Sequence, residues 1–165
     1  MTRNPYTGPC QQRCASAGAL VHAAQAEKAT SALATAMLQG AVCQLHSAYL
    51  LHLREIAENY SLSDPASICT IQQLTDALVG QNMVPVETSE ISLLMDDSSS
   101  WLTLCLGAYE EFHGGPGSPA EVSHAGIDLY QENLPSAELN PQNIKAWLSA
   151  MIELLERHRA LMYEY

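Results

Sequence analysis

Hydrophobic positions along this chain recur at spacings of three and four, the period of an α-helix, and no stretch alternates in the way a strand requires. Cys10, Cys14, Ala17, Gly18 and Val21 define the inner face of a first helix, predicted from about Tyr6 or Pro9 to Glu27. Its small residues permit close approach to a neighbour. After a short joint at 28–31, a second helix is predicted over roughly Ser31 to Tyr60. Leu33, Met37, Ala41, Leu45, Ala48, His52 and Ile56 form one apolar stripe on it, and Val42, Tyr49, Leu50 and Leu53 form another. A helix apolar on two sides is central to its fold. The run Ser61-Leu62-Ser63-Asp64-Pro65 ends it.

Beyond that point the elements are shorter. Thr70-Ile71-Gln72-Gln73 matches a capping box and opens a helix with Ile71, Leu74 and Leu78 inward and Gly80 as its stop. A weaker helical stretch spans Pro85 to Met95. Asp96, Asp97 and Ser98 then offer N-caps to a helix whose inner face is Trp101, Cys105, Ala108, Tyr109 and Phe112. Gly114-Gly115-Pro116-Gly117-Ser118-Pro119 breaks the pattern, and 114–139 reads as a long loop that Ile127, Leu129 and Leu134 could tack down. Asn140 as N-cap and Pro141 at the first helical position begin the last helix, with Ile144, Trp147, Leu148, Met151, Ile152 and Leu155 as its apolar face. Arg157, His158 and Arg159 lie near its C-terminal end, where positive charge suits the helix dipole. The expected fold is all-α, a single domain over 1–165. It is an up-and-down bundle of about four main helices with short extra helices.

Composition agrees with a folded chain: 47% of the 165 residues are hydrophobic, enough for one core. Charge changes the picture more. The net charge is -11, with 18 acids against 7 bases, and no lysine or arginine stands between Arg54 and Lys145. All acids except Glu27, Glu153, Glu156 and Glu164 fall inside that gap. So negative a middle section repels phosphate, which argues against nucleic acid or an anionic membrane as partner. The segment from Ala29 to Leu53 is uncharged and long enough to span a bilayer, but Gln39, Gln44, His46, Ser47 and His52 are costly in hydrocarbon, so a buried bundle helix is the better reading. The opening Met1-Thr2-Arg3-Asn4-Pro5 is not the apolar core of an export signal, so the five cysteines are expected as reduced thiols in the cytoplasm.

Tyr6-Thr7 followed by Gln11-Gln12-Arg13, the run Leu50-Leu51-His52-Leu53-Arg54-Glu55-Ile56-Ala57, and Trp101-Leu102 with Ala108-Tyr109 resemble a group of small uncharacterised bacterial helical proteins, over roughly residues 5 to 112. The resemblance implies a helical hairpin followed by a helix bearing the tryptophan and the Ala-Tyr pair. It implies no activity, and the cysteines are not part of its pattern.

Candidate chemistry centres on two pairs, Cys10 with Cys14 and Cys43 with His46. Spacings of four and three put each pair on one helical face. In an antiparallel hairpin turning near Lys28 all four reach one level, and three thiolates with an imidazole suit tetrahedral zinc. The competing reading is core packing, since free cysteine behaves as a small hydrophobe. Glu110 and His113 have the spacing of a di-iron motif but lack the second motif and the further glutamates it needs. His52 and His46, on an apolar helix, read as hydrogen-bonded core residues, with a buried His52–Glu55 or His52–tyrosine pairing as structural polar glue. No Gly-x-Ser-x-Gly elbow and no phosphate-binding Lys-Ser/Thr accompany the glycines at 114–117. The expected function is a non-enzymatic interaction or adaptor module, its negatively charged region around Asp96, Asp97, Glu110 and Glu111 facing a basic protein. Self-association through exposed parts of the last helix (Trp147, Met151, Met162 and Tyr163) is a second expectation. The alternative is a zinc-binding or thiol-sensing bundle using Cys10, Cys14, Cys43 and His46.

Overall fold

A computed structural model of the chain describes residues 4–28, 31–113 and 138–163. Among the described residues the regular elements are all helical: α1 (Thr7–Ala26), α2 (Ala32–Asn59), a single 3-10 turn at Pro65–Ser67, α3 (Ile71–Val79), α4 (Val86–Asp96), α5 (Trp101–His113) and α6 (Pro141–Tyr163). The all-α expectation holds. The predicted loop at 114–139, with its anchors Ile127, Leu129 and Leu134, lies outside the described residues except at 138 and 139.

Helix starts follow from side chains that satisfy the first free amides. Ser31 Oγ accepts from the Ala34 amide at 3.0 Å. Thr70 and Gln73 close a full capping box. Asn140 Oδ1 accepts from the Asn143 amide at 2.8 Å, with Pro141 next in line. Asn140→Ala should lower stability by about 1 kcal/mol in a thermal melt; an unchanged midpoint would show that water caps this end equally well.

One helix start differs from the sequence reading. The cap of α5 is Ser100, whose Oγ accepts from the Thr103 amide at 3.1 Å, and not Asp96, Asp97 or Ser98. Asp97 is occupied by the amide and hydroxyl of Ser99 at 2.8 and 2.7 Å, so a turn intervenes and the helix begins later. Gly80 ends α3 as expected, as its C-cap in the right-handed region. Asn82 takes the left-handed position (φ 59°), and the Met83 amide returns to the Leu78 carbonyl.

α1 and α2 pair antiparallel, since Thr7 meets Glu55, Cys10 meets Ala48 and Arg13 meets Gln44, one number rising as the other falls. Close contact depends on absent side chains. A Cβ on Gly40 would lie 3.3 Å from Leu20 Cδ1, and one on Gly18 would lie 3.3 Å from Leu148 Cδ2. α6 packs against α1, α2 and α5, while α4 sits between α3 and α5. Leu45, Leu53, Ile56, Leu102, Ile144 and Leu154 are fully buried where these helices converge.

Three apolar assignments shift. Leu33, placed on the inner stripe of α2, is 51% exposed, and the buried position of that first turn is the adjacent Ala34, 2% exposed. On α5 the buried set is Leu102, Cys105 and Ala108, so the inner face is turned and Trp101 is only half-buried. Trp147, Met151 and Met162, expected at an exposed self-association surface, are all buried. α6 meets three helices at once, so more of its circumference is core than a surface helix would offer. The side chain of Tyr163 is outside the described set.

Candidate functional site

Glu55 occupies the position before Ile56 on the inner side of α2 and is 2% exposed. A carboxylate there is costly unless it is paired and its lone pairs are filled. Three helices supply the partners. From α1, the Thr7 hydroxyl donates to Oε1 at 2.6 Å. From α6, Arg159 donates through Nε and Nη2 to the two oxygens at 2.8 and 3.0 Å, a bidentate fork. From one turn earlier on α2, His52 Nδ1 lies 3.2 Å from Oε2. Burial alone would raise the Glu55 pKa, but the hydrogen bonds from His52, Arg159 and Thr7 outweigh it and hold it at about 2.

The contacts continue past Glu55. His52 Nε2 is 2.8 Å from Nδ1 of His158, which is fully buried, and His158 Nε2 is 3.0 Å from Glu90 Oε2 on α4. Glu90 also receives Arg157 at 2.5 Å, nearer the surface. The result is an unbroken line, Glu55–His52–His158–Glu90, through the middle of the molecule. Its proton count is instructive. Each of the three contacts needs one proton, and two neutral imidazoles carry two. One contact is therefore left with two facing lone pairs, and a third proton would complete the line. Burial, reinforced by neighbouring His52, nevertheless pulls the His158 pKa down to about 4, with Glu90 acting in the opposite sense.

On the other side of Arg159 lies a groove of about 390 Å³ between α1 and α6. Ala15, Gly18, Leu148, Ile152 and Leu155 make its apolar walls, Gln11 and Glu156 its polar lining, and Cys14 and Arg159 complete it. Cys14 is 6% exposed and stands one turn along α1 from Cys10, whose thiol donates to the Ala48 carbonyl at 3.4 Å. The neighbouring Cys10 thiol and the positive charge of Arg159 lower the Cys14 pKa, whereas the proximity of Cys14, with burial, raises that of Cys10.

The four residues read as one zinc site do not come together. Cys10 and Cys14 lie on the side of α1 that meets α2 and Arg159. His46 instead stacks on Tyr109 of α5, ring centroids 3.7 Å apart, and Cys43 lies on that same side, close enough to influence Tyr109 electrostatically. The hairpin does bring the two pairs to similar heights, but the faces diverge. Among the described residues no three of His, Cys, Asp and Glu are grouped to hold a metal ion. All five cysteines are free. Asp96, Asp97, Glu110 and Glu111 are all exposed, but Asp96 ends α4 and Asp97 follows it, whereas Glu110 and Glu111 lie near the far end of α5. At 1.5 Å per residue Glu110 stands about 14 Å along the axis from the start of α5 at Trp101, so the acids make two patches rather than one.

The His52–Glu55 contact expected from the sequence is present. Arg157, His158 and Arg159 were expected to complement the dipole of the last helix, and they instead reach across to Glu90, His52 and Glu55. A charged residue in an apolar stripe requires a buried cation, and only seven lysines and arginines exist to supply it; that was the available signal.

Among the described residues no helix is long and apolar enough to cross a membrane. Residues 10–165 match the model of a family described as a family of unknown function (DUF6586). The match runs through α6, beyond the stretch that carries the resemblance in the sequence. No curated protein and no solved structure matches the chain.

Proposed function

The chain belongs to this family of unknown function, whose description assigns no activity, and from its geometry we propose that it is a non-enzymatic docking module for a basic protein segment. The observation that carries this reading is the outer face of α4. Val86, Ser89, Leu93 and Asp96 follow one another at helical spacing and are all exposed. Leu93 is 71% exposed and Val86 63%, and Val84 just before the helix is 74% exposed. Apolar side chains grouped on one face lose water when a partner covers them, and isolated exposed ones would need no explanation.

Charge selects the partner. α3, α4 and the turn between them contain no lysine or arginine, and Asp96 and Asp97 close the face at its C-terminal end. An amphipathic helix with lysine or arginine beside an apolar stripe matches both features. The other acidic pair, Glu110 and Glu111, is too far along α5 to serve the same small contact.

A photocrosslinking side chain placed at Leu93 in cells should give a discrete adduct that disappears in the Asp96→Lys/Asp97→Lys variant and weakens as salt is raised. The same group at exposed Glu153, on α6, is the control. Equal adducts at both positions, or an adduct at Leu93 indifferent to charge reversal, would mean that the face of α4 is merely solvated.

A further inference from the structure

We propose that the line Glu55–His52–His158–Glu90 is a proton-operated latch on α4. In its two-proton form the break lies between His158 and Glu90, so that α4 is tied to α6 by Arg157 alone, and a third proton closes it. Nothing in this depends on the docking role of the outer face of α4.

Where the break falls follows from where water can reach. At the inner end Glu55 is buried, and its oxygens already receive Thr7 and both donors of Arg159. A bare Nδ1 lone pair of His52 aimed at that carboxylate would stand in a dry site with nothing to separate the two. Between the rings, 2.8 Å apart and both buried, two bare lone pairs would be as poorly placed. Glu90 is different. Its side chain is 31% exposed, and that of Arg157 beside it 51%. One water there donates one hydrogen to His158 Nε2 and the other to Glu90 Oε2, which satisfies both lone pairs. Two such bonds span more than the 3.0 Å of the direct contact, so Glu90 stands off from α6. Both imidazoles then carry their proton on Nδ1, with His52 donating to Glu55 and His158 donating to His52.

Charge balance decides when the latch closes. The carboxylates of Glu55 and Glu90 face the guanidiniums of Arg159 and Arg157. The two-proton line is therefore neutral, and a third proton adds an uncompensated positive charge to a buried centre. The surrounding titratable groups do not offset it. From α1, the Cys10 thiol interacts with Glu55 and Arg159, and Cys14 with Arg159. On α6, Glu153 acts on Arg157 from the surface. On α5, burial alone acts on Cys105, while Glu110 and His113 act on His46 instead. The third proton thus arrives only in acid, in keeping with the lowered pKa of His158. It settles on His158 Nε2 and turns a water-separated pair into a charge-assisted hydrogen bond.

α4 suits such a latch because little of it is buried: only Glu87, Thr88 and Ile91 of its 11 residues. The Tyr60 hydroxyl donates to Glu87 at 3.1 Å, and the Thr88 hydroxyl is spent on the Pro85 carbonyl just ahead of the helix. Glu90 is the side chain by which α4 reaches α6.

Glu90→Gln separates the latch from a merely structural ion pair, because the amide supplies the missing hydrogen. Its NH2 donates to the His158 Nε2 lone pair while its oxygen still accepts from Arg157. In hydrogen exchange at neutral pH, the amides of α4 should be protected about tenfold or more better in Glu90→Gln than in the wild type, each measured relative to α2. In the wild type the same ratio should rise as the solution is acidified. A structural ion pair predicts the reverse, since an uncharged acceptor weakens the bonds from Arg157 and His158; equal or lower protection in Glu90→Gln would overturn the proposal. Ring-nitrogen NMR of the wild-type chain at neutral pH should place the His158 proton on Nδ1. A proton on Nε2, alone or together with one on Nδ1, would also overturn it, and this reading decides alone if Glu90→Gln does not fold.

Discussion

Glu55→Gln should cost about 3–5 kcal/mol of folding stability, the largest effect expected of any single polar change in this chain. The substitution keeps the shape and removes the charge, so Arg159 remains half-buried against a neutral amide and His52 loses an ionic partner. Urea unfolding at neutral pH should show the midpoint fall with little change in slope. Pairing the change with Arg159→Met should recover part of the loss, because the second substitution removes the cation that the first has stranded. A single-variant cost below about 1 kcal/mol would show that water reaches Glu55 and that the centre is not a desolvated ion pair.

Acid should destabilise the fold in two overlapping stages. The His158 pKa is depressed to about 4 in the fold against an ordinary value near 6.5. Between those values the unfolded chain binds a proton that the folded chain refuses, so stability is fully present above 6.5 and declines as pH falls towards 4. Glu55, held at about 2, contributes stability that is present above its ordinary value of 4.5 and is lost as pH falls towards 2. At 1.36 kcal/mol per unit, the first stage amounts to about 3 kcal/mol, with the opposing effect of Glu90 already included. His158→Gln should flatten stability against pH between 6.5 and 4 and leave the lower stage in place. A profile that is flat in the wild type across that upper window would mean that His158 already carries its proton at neutral pH and that the line of contacts is complete there.

What could be read from the sequence was local. Helix periods, the Thr70–Gln73 box, the Asn140-Pro141 start and the His52–Glu55 contact all involve residues within four positions of each other, and each is where its spacing placed it. The polar centre was harder because its partners are remote in the chain: Glu55 and Arg159 are 104 positions apart, and Glu90 and His158 are 68 apart. Nothing in the spacing of Arg157, His158 and Arg159 says that Arg159 reaches α2, that Arg157 reaches α4 and that His158 touches both. The putting together of Cys10, Cys14, Cys43 and His46 failed for a related reason. Sequence spacing gives the height of a residue on a hairpin, but the azimuth at which two helices meet is set by the third helix packed against them. Here that helix is α6 for the cysteine pair and α5 for His46. The burial of Trp147, Met151 and Met162 likewise depends on α6 having three neighbours, a number that its own periodicity does not encode.

The position of Glu55 also bears on the order in which the protein can be made. α1 and α2 emerge from the ribosome before α3 to α6 and can pair while those are still being made. That early hairpin closes around a carboxylate whose balancing guanidinium belongs to residue 159, within the last turns of α6. Until the final helix is synthesised, the two-helix nascent chain holds an acid with only Thr7 and His52 beside it, and water must remain where Arg159 will sit. Completion of the core is thereby deferred until α6 has been made, and a ribosome stalled before α6 carries a hairpin that is paired but still wet at its centre.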